Sequence, residues 1–192
     1  MKEKILITCF EPFGGEEKNA SMAMTDALPS VFSGIEAEKL TLPVEFARAA
    51  EIAEEKARAI GAKYVFCFGQ AGARGAVTPE LVAINLMHAA IPDNAGAKPQ
   101  DKPIAAGGAA AYFTRFPARL IAEKIKAGGV PSSLSYSAGA YVCNDLYYRL
   151  LAAFEKSGVC VLFIHVPRES ENLAAADMAR AIAAALEEIL AE

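Results

Sequence analysis

What most constrains this chain is a hydrophobic period that switches repeatedly between strand-like and helix-like along its length. KILITCF (4–10), KYVFCFG (63–69) and VCVLFIHVP (159–167) are short, mostly apolar runs rich in β-branched and aromatic residues. Runs of that length and composition suit strands buried on both faces. Between them, EFARAAEIAEEKARAI (45–60) places Phe46, Ala49, Ile52, Ala53, Ala57 and Ile60 on one side at helical spacing, and Gly61 stops it. FPARLIAEKIKAGGV (116–130), YVCNDLYYRLLAAFEKSG (141–158) and NLAAADMARAIAAALEEIL (172–190) read as three more helices. A short helix ends near Leu28, capped by Asn19 or Ser21. IEAEKLTLP (35–43) alternates as a strand with one wet face, PELVAINLMHA (79–89) is extended, and LSYS (134–137) is a short strand. Strands alternating with helices predict an α/β fold, a three-layer α/β/α sandwich around a mixed, largely parallel sheet. Neither a repeat, a low-complexity tract nor a linker interrupts the pattern, so one domain over 1–192 is expected.

Composition narrows the function classes. With 54% hydrophobic residues in 192, a sizeable core is available. The net charge of −4 without a Lys/Arg block argues against nucleic-acid binding. The apolar run in MKEKILITCF stops at Glu11, too short for a signal peptide, and no run reaches membrane-spanning length. A soluble, cytoplasmic chain without membrane partners is expected. In that compartment the four cysteines are expected as free thiols. Without a C-x-x-C and with two histidines, a structural zinc site is not expected. FGGEE is not G-x-G-x-x-G, and a nucleotide-binding module ranks last among the readings.

In such folds ligands bind beyond the carboxyl ends of the strands. FEPFGG, GQAGARG, SAGAYVCN and HVPRES all lie at strand ends, which would gather Phe10, Phe13, Gln70, Cys143 and His165 at one edge. The turn-rich segment 91–103 has the length of loops that carry function. Cys9, Cys67 and Cys160 lie inside apolar runs, where a thiol is small and inert. Cys143 instead follows a small-residue turn and opens a helix. There the helix dipole and unpaired N–H groups favour a thiolate and can hold an oxyanion. The competing reading is a core-filling cysteine. His165, at a strand's end, is preferred to His88 as a general base toward that thiol. Glu80, Asp93 and Asp145 are all placed to orient the base, and spacing does not choose among them. Phe10 and Phe13 either wall a small apolar pocket or pack beneath their own loop.

FEPFGG (10–15), TPELVAIN (78–85), IPDN (91–94), AAYFTRFP (110–117), SAGAYVCN (137–144) and FIHVP (163–167) together resemble pyroglutamyl peptidase I, a family of cysteine peptidases. The resemblance implies an α/β/α sandwich and an exopeptidase that removes N-terminal pyroglutamate from peptides through a thioester. It implies a triad at Glu80, Cys143 and His165, a lactam pocket at Phe10, Phe13, Ile91, Tyr141 and Val142, no metal or cofactor, and a homotetramer. Three departures stand out. Ala90 occupies the place of the family's arginine before IPDN, the segment after HVP is shortened to HVPRESENLAAAD, and Asp145 follows Asn144 where an uncharged residue is usual. Asp145 is expected to point outward, since a carboxylate facing Cys143 would oppose the thiolate. Ala90 and the short segment keep two further readings open: an amidase or peptidase of altered specificity, and a lactam-binding protein with little turnover.

Overall fold

A computed structural model describes residues 3–170 and 173–191. Glu171 and Asn172, in the shortened segment after HVP and at the expected start of the last helix, lie outside the described residues.

The long apolar runs form the middle of the sheet. β1 (Lys4–Phe10) and β4 (Ala62–Gln70) are nearly solvent-free, as is β8 (Cys160–Val166) beyond its first residue. The wet-faced run forms β3 (Ile35–Leu42), next to a two-residue edge strand, β2 (Val31–Phe32). β5 (Thr78–Pro79) closes the other edge. The order is β2-β3-β1-β4-β8-β5, with β3, β1, β4 and β8 parallel and β2 and β5 antiparallel to their neighbours. β6 (Val82–Ile84) and β7 (Ala111–Phe113) pair as a separate antiparallel ribbon.

Helices cover both faces, as the alternation predicts. α1 (Ala20–Ala27), α3 (Ala118–Ala127) and α5 (Ala175–Leu190) bury Met24, Ile121, Ile125, Met178, Ile182 and Leu186 against Ile5, Ile7, Phe66 and Phe68. α2 (Arg48–Ile60) and α4 (Val142–Phe154) cover the opposite face, over Leu6, Val65, Cys67 and Phe163. Asn19 caps α1 by accepting from Ser21 N at 3.0 Å. Gly61 ends α2 at φ 66°, a left-handed conformation that suits glycine. Among the described residues no helix is long and apolar enough to cross a membrane.

Three expectations are corrected. LSYS does not form a strand of the sheet; Ser132 and Ser135 make isolated bridges to Val77 and Glu80, so the segment hugs β5 without a ladder of its own. The helix expected over 45–60 starts at Arg48, because Ala47 takes φ 60°, ψ −48°, outside the helical region, leaving Phe46 in the preceding loop. Cys160 is half-buried, unlike Cys9 and Cys67, because it stands at the first position of β8.

Connections leave β1 and β4 in opposite directions, one toward β3 and the other toward β8. Adjacent parallel strands with that divergence open a crevice at their carboxyl ends.

Candidate active site

Side-chain alternation along the strands prepares the site. On β4, Phe66 and Phe68 point toward α1, α3 and α5, so Cys67 and Gly69 face α4. On β8, Phe163 and His165 share that face, with ring centroids 4.8 Å apart. Gly69 stands opposite His165 in the ladder. A Cβ on Gly69 would lie 2.8 Å from Phe163 Cζ and 2.9 Å from Cys143 Sγ. The thiol therefore rests on bare backbone of β4, beside the strand that carries the imidazole.

Cys143 is the second residue of α4, and Tyr141 caps that helix without a side-chain hydrogen bond. The first-turn N–H groups are consequently not taken by a capping side chain. Glu80 follows β5, and its N–H donates to Phe163 O at 2.9 Å, which sets its depth. Its side chain is 0% exposed. Glu80 Oε1 accepts from His165 Nδ1 at 2.7 Å and from Arg74 Nη1 at 2.6 Å, while Oε2 has no partner. A carboxylate only accepts, so this bond assigns the ring proton to Nδ1 and leaves Nε2 as the nitrogen free to accept.

Burial pushes the pKa of His165 below its ordinary value, against the hydrogen bond and charge of Glu80. Burial, and after it the charge of Glu80, pushes the Cys143 thiol up to about 12, with Arg74 pulling the other way. Burial thus works against the expected thiolate. Cys143 is half-buried as a residue, but desolvation of its thiol outweighs the partial charge at a helix end. Cys143 and His165 line the same cavity, and burial there disfavours the charged form of each.

The sequence matches the pyroglutamyl peptidase family model over residues 3–191. The chain belongs to the pyroglutamyl peptidase family. A pyrrolidone-carboxylate peptidase of Levilactobacillus brevis is 42% identical over 166 residues, covering 85% of this chain and 81% of the relative. Pyrrolidone-carboxylate peptidase 1 of Streptococcus pneumoniae is 38% identical over 198 residues, covering 97% and 92%. The crystal structure of Bacillus amyloliquefaciens pyroglutamyl peptidase I superposes with a TM-score of 0.91 at 34% identity, covering 100% of this chain and 98% of that one.

In this family member the candidate site opens into a cavity of about 120 Å³. Drug-sized pockets begin at about 300 Å³, so the space suits a small ring. Phe10, Phe13, Gln70, Tyr141 and Val142 line it together with Cys143 and His165. Asn19, Val44 and Ala138 complete the wall, although sequence reading did not assign them to it. Phe13 and Phe46 both pack on Tyr141, at 6.1 and 5.4 Å between ring centroids. The Gln70 amide is already engaged: Oε1 accepts from Ala20 N at 2.7 Å and Nε2 donates to Glu16 Oε2 at 2.9 Å. Gln70 thus braces the start of α1 at the cavity's edge. Ile91 is not in the cavity wall; it is 44% exposed and leans over Gly14 of the FEPFGG loop.

The alternatives to Glu80 and His165 lie elsewhere. His88 is exposed and pairs with Asp101 Oδ1 at 2.9 Å. Asp93 is buried and accepts from the N–H groups of Phe46, Ala95 and Ala97, holding the loop beside Tyr141. Asp145, expected to point outward, is instead wholly buried. Its oxygens accept from Ala47 N at 2.7 Å and Arg149 Nε at 2.9 Å, and desolvation raises its pKa. The kinked backbone at Ala47 needs an acceptor, and Arg149 one turn along supplies the counter-charge, so burial and distance from the thiol coexist.

Two residues at the site were missed. Asn144 is buried; it accepts from Ile84 N at 3.0 Å and donates to Ile84 O at 2.8 Å and Leu86 O at 3.0 Å, clamping β6 onto α4. Arg74 sits on Glu80. The available signal was that it is the one charged residue of QAGARGAVT, at the end of a buried strand.

Proposed function

We propose that this protein hydrolyses the amide bond after an N-terminal pyroglutamyl residue of peptides, with Cys143 as nucleophile, His165 as general base and acid, and Glu80 as the group that orients His165. The observation that carries this reading is the buried Glu80 Oε1–His165 Nδ1 bond, whose imidazole shares a small aromatic-walled cavity with Cys143. Membership of the pyroglutamyl peptidase family supports the substrate class.

The lactam ring is small, flat and uncharged, and the faces of Phe10, Phe13 and Tyr141 suit it. As Cys143 Sγ attacks the pyroglutamyl carbonyl carbon, its proton passes to His165 Nε2. The carbonyl oxygen, now an oxyanion, meets first-turn N–H groups of α4. The C–N bond breaks as His165 returns the proton to the departing amine, leaving a thioester on Cys143. Water then attacks the thioester carbonyl, giving its proton to Nε2, and free pyroglutamate departs from the restored thiol. Glu80 keeps Nδ1 protonated throughout. Phe10, Phe13, Tyr141 and Val142 form the lactam wall, and Ile91 lies beside Gly14 outside it.

The same reading extends to a homotetramer and a cytoplasmic location, both carried by family resemblance; sedimentation of the purified protein checks the first. The deciding test is hydrolysis of a pyroglutamyl chromogenic amide under reducing conditions. Turnover by the wild type that vanishes in Cys143→Ser upholds the reading. A folded, reduced wild type that releases no chromophore sinks it.

A further inference from the structure

We infer that Arg74 is a positioning residue that holds Glu80 in the state and place His165 needs, while tying both to the turn that delivers Cys143. This rests on the roles given above to Glu80, His165 and Cys143.

The argument begins with an imbalance. Glu80 is fully buried, and its hydrogen bonds converge on one oxygen while the other has none. A buried carboxylate needs a compensating charge or it sheds its own by taking up a proton. His165 does not supply that charge at rest, because burial keeps it neutral. Arg74 does. Its Nη1 donates to Glu80 Oε1 at 2.6 Å and also meets Thr78 Oγ1. Its Nη2 donates to Ser137 O at 2.9 Å, at the head of the SAGAYVCN turn. A planar guanidinium makes two such bonds in fixed relation, which an ammonium does not reproduce.

The consequence is chemical. A Glu80 that had taken up a proton could donate it to His165 Nδ1. The ring proton would then reside on Nε2, and Nε2 could not accept from the thiol. Arg74 therefore selects the working tautomer without touching substrate. Its positive charge also lowers the pKa of both His165 and Cys143. The ionisable groups facing these two are Glu80 just after β5, Cys67 from β4, Arg74 from the loop between β4 and β5, and Tyr141 at the start of α4. Tyr147 of α4 adds a hydroxyl that donates to the Glu80 carbonyl. Arg74 is the cation of that set. The arginine that the family places before IPDN is Ala90 here, exposed to solvent.

The test compares Arg74→Ala and Arg74→Lys with wild type, by turnover of a pyroglutamyl amide and by the rate of Cys143 alkylation with iodoacetamide across pH. Arg74→Ala is expected to lose kcat on the order of 10–100-fold with KM little changed, the size usual for removing a group that orients a reacting one. Its acid limb and the alkylation midpoint should both move to higher pH, since a positive charge has been removed. Guanidinium ion added below unfolding concentrations should restore part of the rate. Arg74→Lys keeps the charge, so its pH profile should stay near wild type while its rate falls for want of the Ser137 bond. Should Arg74→Ala prove unfolded, Arg74→Lys still decides: a rate and profile equal to wild type would show that the two-pronged tie is unnecessary. An Arg74→Ala with unshifted profiles and an undiminished rate overturns the inference while the peptidase reading stands. If the wild type fails to turn over but alkylation still shifts with Arg74, the peptidase reading falls and the positioning role survives.

Discussion

At the residue scale the site is governed by desolvation. His165 has its pKa lowered, so the neutral base persists to more acidic pH than in a free imidazole. The acid limb of kcat/KM is therefore expected below 6.5, the ordinary histidine value; a pH–rate profile checks this, and a midpoint above that value would contradict it. The same shift has a stability sign. Below 6.5 the unfolded chain takes up the proton first, so stability should fall as pH drops from there toward the lowered native value. A thiol pushed up to about 12 also predicts slow alkylation of Cys143 at neutral pH compared with a preformed thiolate–imidazolium pair. Gly69 offers the sharpest steric test. A methyl there collides with both Phe163 and Cys143 Sγ. Gly69→Ala should cost about 1–3 kcal/mol of stability. It should also lower kcat about 100-fold by displacing the thiol roughly 1 Å. Melting and turnover measured on the same preparation separate the two losses.

At the element scale, α4 is both a core helix and the carrier of Cys143, the proposed nucleophile. Leu146, Tyr147, Leu150 and Phe154 bury it against the sheet, and Asn144 fixes its first turn to β6. Asn144→Ala takes the side-chain partner from Ile84 N and Leu86 O, while Ile84 O keeps Leu86 N, a loss of about 1–3 kcal/mol for each buried unmade bond. The measured Tm should drop accordingly, and kcat should fall with it because the helix start loosens; an unchanged kcat would show that α4 is positioned by its apolar face alone. Periodicity made the long elements readable. β1, β4, β8, α3 and α5 carry continuous or helical patterns strong enough to place them within a few residues. β2 and β7 were not read, because strands of two or three residues carry too little pattern to separate them from loop. LSYS looked like a strand but lacks ladder partners, since β5 beside it already closes the sheet.

At the scale of the whole molecule, the site belongs to no single segment. Phe10 comes from β1, Gln70 from β4, Cys143 from α4 and His165 from β8, and all line one cavity. Such a site should vanish with the fold in one step. Chemical denaturation followed by far-ultraviolet circular dichroism and by loss of turnover is expected to give coincident transitions, as for one cooperative domain. Activity lost well before the helices melt would instead separate the site from the core.

The sequence by itself determined the layered α/β architecture, because hydrophobic period is a local property that each segment carries alone. It also determined the carboxyl-end site, because buried strands with Gly-rich exits must open there. It left Glu80, Asp93 and Asp145 equivalent until motif resemblance separated them. Only the tertiary structure decided that Asp145 turns to Ala47 and Arg149, that Ile91 stands outside the cavity, and that burial raises the thiol pKa. Only it brought Arg74 onto Glu80. Each of these depends on which groups from distant segments lose water together, and that shared loss of water is created by packing.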